Sequence, residues 1–97
     1  MPYTLSRAAE ADIVELYIEG VLLFGMAQAD AYLSSLEDCF VFLADHPRAA
    51  RERVEISPPV RCHPHRRHLV VYTLGSEDRV LILRVRHGRE DWDGRAG

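Results

Sequence analysis

The sequence predicts an α+β fold: an N-terminal strand, then an antiparallel two-helix hairpin packed on a small antiparallel β-sheet. Three observations carry this expectation. Apolar residues recur at spacings of three and four from Ala9 to Leu43, interrupted at Gly25. Beyond Pro59 that period gives way to β-rich runs, Val60–Cys62, His68–Leu74 and Val80–His87. The last two runs flank the polar turn Gly75-Ser76-Glu77-Asp78 and close on Arg84, Arg86 and His87. A hairpin that gathers its charge at one end of its most apolar strand marks a candidate surface.

Taken in order, Tyr3 to Leu5 suits a short strand, and Ser6 is placed to cap a helix that carries Glu10 and Asp12 in its early turns. Ala9, Ile13, Leu16, Tyr17, Gly20 and Phe24 form one apolar stripe, and Gly25 ends it. A second helix is expected from Met26 to Asp45, with Ala29, Leu33, Leu36, Phe40 and Leu43 on its stripe. His46-Pro47 stops it, because a residue preceding proline is pushed out of the helical region. The short junction makes the helices antiparallel neighbours, and Cys39 falls on a core position of the second. Residues 48 to 59, with Ser57-Pro58-Pro59, read as an extended loop or edge segment. In the last strand Leu81, Leu83 and Val85 are expected on one face, with Val80, Ile82, Arg84 and Arg86 on the other. Trp92, in a polar tail, is expected to cover the core or an interface.

At 97 residues the chain is read as one domain, spanning 1 to 97. A chain of that size buries only about 60 to 65% of its unfolded surface. No apolar run approaches the roughly 20 residues of a membrane-spanning helix, and the N-terminus lacks the pattern of a secretory signal. A cytoplasmic protein is therefore expected, with Cys39 and Cys62 unpaired. The net charge of −3 hides an asymmetry. One arginine stands against eight acids up to Pro47, and eleven arginines against seven acids after it, which is −7 and +4. A split of this kind points to an anionic or acidic partner for one side of the fold. Lysine is absent. His63-Pro64-His65-Arg66-Arg67-His68 has alternating histidines, but the proline and arginines make a poor cation site, so no metal and no other cofactor is expected.

These elements resemble the ParE/RelE superfamily of toxins from bacterial type II toxin-antitoxin modules. The resemblance covers nearly the whole chain. It rests on Tyr3-Thr4-Leu5-Ser6 before Ala9, Asp12 and Ile13, on Phe24-Gly25 with Gln28-Ala29 and Tyr32, and on Leu43-Ala44 with His46-Pro47. Arg61, His68-Leu69-Val70-Val71-Tyr72 and Ile82-Leu83-Arg84-Val85-Arg86-His87 complete it. The superfamily holds two activities on one scaffold. RelE-like members are ribosome-dependent endoribonucleases; ParE-like members inhibit DNA gyrase without acting as catalysts.

For a nuclease, Arg61, Arg84 and Arg86 are the candidate phosphate clamp and His87 the proton carrier. Against that reading, Gly88 follows His87, no lysine-rich segment is present to grip ribosomal RNA, and the chain is acidic overall, whereas RNA-binding domains are usually basic. The Arg84-Val85-Arg86-His87 ending with its short polar tail is closer to the ParE branch. The resemblance then implies a non-catalytic inhibitor of gyrase that causes growth arrest, with Arg84, Arg86, His87 and Trp92 as target-binding residues. It implies a ParD-type antitoxin, bound through Tyr17, Phe24, Tyr32, Leu36, Arg61 and Arg84, in a hetero-oligomer stabilising a plasmid or chromosome. Direct DNA binding by this chain alone is not expected. A relative that has lost toxicity and only binds antitoxin is the remaining reading.

Overall fold

A computed structural model describes residues 2 to 88; Trp92 lies outside the described residues. Strand β1 (Tyr3–Leu5) leads into helices α1 (Arg7–Phe24) and α2 (Met26–Asp45), followed by β2 (Glu52–Arg53), β3 (Val60–His65), β4 (His68–Leu74) and β5 (Val80–His87). The five strands form one sheet in the order β1-β5-β4-β3-β2. No described helix is long and apolar enough to cross a membrane.

The helical hairpin forms as the sequence predicts. The Ser6 hydroxyl accepts from the Ala9 amide at 3.0 Å, satisfying one orphan donor of the first turn. Gly25 adopts φ 89°, a conformation that costs a residue with Cβ far more than glycine. Its amide closes α1 on the Val21 carbonyl at 2.9 Å, and its carbonyl opens α2 by accepting from Ala29 at 3.1 Å. Ala29, Leu36, Cys39, Phe40 and Leu43 are buried along α2. On α1 only Ala9 and Asp12 are buried, while Ile13 and Leu16 pack at the edge of the core. Val14, Ile18 and Leu22 point outward at 58%, 53% and 80% exposure, so the outer face of this helix is apolar as well as acidic.

The sheet departs from expectation in three ways. First, it is mixed: β1 runs parallel to β5, with Tyr3 opposite Val80 and Leu5 opposite Ile82, while the other pairs are antiparallel. The helices and the meander between β1 and β5 supply the long connection that parallel pairing needs. Second, of the loop or edge segment expected over 48 to 59 only two residues pair, as the edge strand β2, and β3 runs beyond the expected Cys62, through Pro64 to His65. Third, Val71 pairs with Arg84 but Tyr72 with Ile82, which leaves Leu83 as a bulge.

A bulge inserts one residue and reverses the alternation beyond it. Val85 therefore joins Val80 and Ile82 in the main core beneath the helices, in place of the predicted grouping of Leu81, Leu83 and Val85. Leu83 packs instead in a second cluster with Ile56, Val60, Val71 and Cys62. Ser6 fixes the bulge by donating its hydroxyl to the Leu83 carbonyl at 2.7 Å. Cap, edge strand and bulge thus meet at one residue.

Candidate functional site

Two polar constellations lie on the strand ends. The first is a buried carboxylate. Strand β1 accompanies β5 only as far as Ile82, so the edge of β5 beyond that point needs another acceptor. Asp12 of α1 provides it, taking the Val85 amide at 2.9 Å. The same carboxylate accepts from Arg84 at 2.8 and 3.0 Å, and Arg86 stands 3.6 Å away. Burial alone would raise the Asp12 pKa, but the Arg84 hydrogen bond, the Val85 amide and the two guanidinium charges outweigh it and bring it below the ordinary carboxylate value. Its exposure is 7%, so the ionised form persists only because these donors surround it.

The second constellation is a cavity of about 210 Å³ between the helical hairpin and the β3–β4 turn. Leu16, Tyr17, Leu23, Phe24 and Tyr32 form its helical wall, with Glu19 among them; Arg66, Arg67, His68 and His87 form the other. Strand pairing sets His68 directly opposite His87, with ring centroids 5.9 Å apart. The Tyr32 hydroxyl lies 2.6 Å from Nδ1 of His68 and 3.3 Å from the His65 carbonyl. Burial, then the His87 charge, push the His68 pKa below its usual value, with Glu19 opposing. His65 and His63 shift the same way, chiefly through burial.

The turn itself is under tension. Arg66 and Arg67 alone connect His65 to its partner His68, and Arg66 sits at φ 54°, where glycine or asparagine is the usual choice. The Arg67 guanidinium lies 4.9 Å from the centre of the Phe24 ring, linking turn to hairpin tip. The Gly88 amide donates to the Arg67 carbonyl at 2.6 Å, and a Cβ at Gly88 would come within 2.9 Å of that oxygen. Only glycine admits such an approach.

The whole of this framework, residues 3 to 92, matches the family model of the ParE toxin of the type II toxin-antitoxin system, parDE. The chain belongs to the ParE toxin family. It is 33% identical over 91 residues to Toxin ParE1 of Mycobacterium tuberculosis, covering 94% of this chain and 93% of that one. Toxin ParE3 of Caulobacter vibrioides is 34% identical over 84 residues, covering 87% and 83% respectively. A chain solved from the chromosomal ParDE TA system of P. aeruginosa shares the fold, with a TM-score of 0.73 at 21% identity over 88% of this chain and 95% of that one.

Within this ParE-family chain the predicted residues separate. Tyr17, Phe24, Tyr32 and His87 line the cavity. Tyr17 also donates to Asp30 at 2.5 Å, bracing the two helices. Leu36 does not reach a surface: it is fully buried beneath α2, so its expected contact with an antitoxin gives way to a core role. Arg61 donates to the Ala50 carbonyl at 2.6 Å, beside Tyr72, whose hydroxyl donates to the Pro47 carbonyl at 2.9 Å. Arg84 and Arg86 engage Asp12. The four residues assigned to a nuclease are therefore divided among three places.

Sequence reasoning missed Asp12 as a site. Its signal was present, since Asp12 falls between Ala9 and Leu16 at spacings of three and four, an acid inside the buried stripe. Arg66 and His68 stood out in the sequence only as members of a cationic, histidine-rich cluster. Their convergence with Tyr32 depends on where α2 crosses the sheet, which no local pattern encodes.

Proposed function

We propose that this type II toxin acts by inhibiting DNA gyrase and is neutralised by a ParD-type antitoxin that occupies the groove at the hairpin tip. Membership of the ParE family carries the reading. Two features of the molecule support it. Arg61 is held by the Ala50 carbonyl and Arg84 and Arg86 stand against Asp12, so the cations named for a phosphate clamp have partners within the fold. The hairpin tip also exposes Leu22, Leu23, Phe24 and Met26 at 80%, 64%, 44% and 64%, a contiguous apolar rim of the kind that protein partners cover.

An antitoxin segment that folds onto the toxin would bury this rim and place acidic side chains near the basic half of the chain. Binding to the folded toxin alone adds stability by mass action. Thermal melts with antitoxin at a hundred- to thousandfold excess over the dissociation constant are expected to gain about 3 to 4 kcal/mol. Melts unchanged by antitoxin would remove this part of the reading. Ribosome-dependent cleavage of mRNA, abolished in His87→Ala, would replace the gyrase assignment with the RelE one.

A further inference from the structure

The cavity has a charge pattern that the apolar rim does not explain. Arg66, Arg67, His68 and His87 face a single acid, Glu19. Among the described residues no carboxylate lies within salt-bridge distance of Arg66 or Arg67. Arg66 is exposed and held in a left-handed turn, a conformation that costs of order 1 kcal/mol or more and concentrates at ligand clamps. Leu23 and Phe24 supply an apolar ledge beside these cations.

We propose that this cavity seats an aspartate or glutamate side chain of the antitoxin, its carboxylate held by Arg66 and the His68–His87 pair, and that docking takes up a proton on His68. The proposal rests on the antitoxin reading above and specifies the chemistry of one contact within it.

Tyr32 makes the proton uptake feasible without rearranging the fold. With His68 neutral, the Tyr32 hydroxyl donates to Nδ1 at 2.6 Å and the imidazole hydrogen sits on Nε2. When a solvent proton adds to Nδ1, the ring donates back to the tyrosine oxygen, and the hydroxyl hydrogen turns to the His65 carbonyl at 3.3 Å. Both states keep the Tyr32–His68 hydrogen bond. In the free toxin His68 faces Tyr17 and Glu19 from α1, Tyr32 from α2, His65, Arg66 and Arg67 from the β3–β4 hairpin, and His87 from β5. Burial and the surrounding positive charges disfavour protonation there, and Glu19 alone opposes them. A carboxylate entering the cavity reverses that balance.

The complex then binds more protons than its separated components. Affinity should rise as pH falls through the His68 pKa of the complex, and level off once pH is below that of the free toxin. One proton allows at most about tenfold per pH unit, and between pH 8 and pH 6 a gain of about three- to tenfold is expected. The test is calorimetric titration of the intact toxin with its cognate antitoxin at pH 6, 7 and 8, in buffers of different ionisation enthalpy. Net proton uptake is expected, lost in His68→Gln, with Arg66→Glu weakening binding at least about tenfold while leaving the melting temperature of the free toxin nearly unchanged. Tight binding with no proton uptake, uptake that persists in His68→Gln, or full affinity in Arg66→Glu would overturn the proposal and leave the antitoxin reading standing. Absence of binding at every pH would overturn the antitoxin reading and this contact with it.

Discussion

Asp12→Ala is expected to lower the unfolding free energy by about 3 kcal/mol at pH 7, equivalent to roughly 15 °C in melting temperature for a domain of this size. The substitution strands the Val85 amide at the edge of β5 and leaves Arg84 and Arg86 beside each other without their shared carboxylate. The dependence on pH gives a second readout. The folded-state pKa of Asp12 is lowered, so its contribution is fully present above the unfolded carboxylate value of about 3.9 and is lost as pH falls through the folded value. The gap between parent and variant should therefore narrow in acid. Chemical denaturation at pH 7 and at pH 3 measures both, and a difference at pH 7 below about 0.5 kcal/mol would show that Asp12 is not the anchor of this edge.

The same geometry bears on how toxicity data at Arg84 are read. Charge reversal there sets a carboxylate against a buried carboxylate, and the resulting loss of activity would reflect unfolding before any lost contact with a target. Arg86, at the longer distance, carries less of this burden.

Leu36→Ala is expected to cost about 3 kcal/mol, within the range for deleting a fully buried leucine, while the folded fraction binds antitoxin with unchanged affinity. Leu36 stands in the main core with Phe40, Leu43, Val70 and Tyr72, all essentially inaccessible to solvent. A cavity left among rigid neighbours is not refilled by solvent or by small shifts. Equilibrium unfolding followed by titration of the folded protein separates the two quantities. A large loss of affinity with little loss of stability would return Leu36 to the binding surface.

The helices were legible because their signals are local. The Ser6 cap, the Gly25 break and the His46-Pro47 stop act over one turn of chain, and the stripe from Ala29 to Leu43 has the helical period. Strands β4 and β5 were legible in extent for the same reason, since their runs are long enough to show. The bulge at Leu83 was not, because it depends on Ser6 and on the pairing of distant strands. Its effect was large, moving Val85 into the core and reversing the predicted faces of β5 beyond Leu83.

The candidate site divides along the same line. Tyr17, Phe24 and Tyr32, named through the resemblance for an antitoxin, and His87, named for the target, line one cavity. Asp12 and His68 matter through contacts spanning 73 and 36 residues of sequence. Each looks ordinary beside its immediate neighbours, one an acid in an early helical turn and the other a histidine in a polar cluster. Only the packing of α1 and α2 across the sheet gives them partners.

The central claim, inhibition of gyrase by a ParE-family toxin, is most directly tested on a supercoiling and DNA-cleavage gel. Purified gyrase, ATP and antitoxin-free toxin would be compared with the same mixture containing antitoxin. The account predicts blocked supercoiling or accumulated linear DNA with toxin alone, reversed when antitoxin is added. An unchanged gel with folded, antitoxin-free toxin would contradict it.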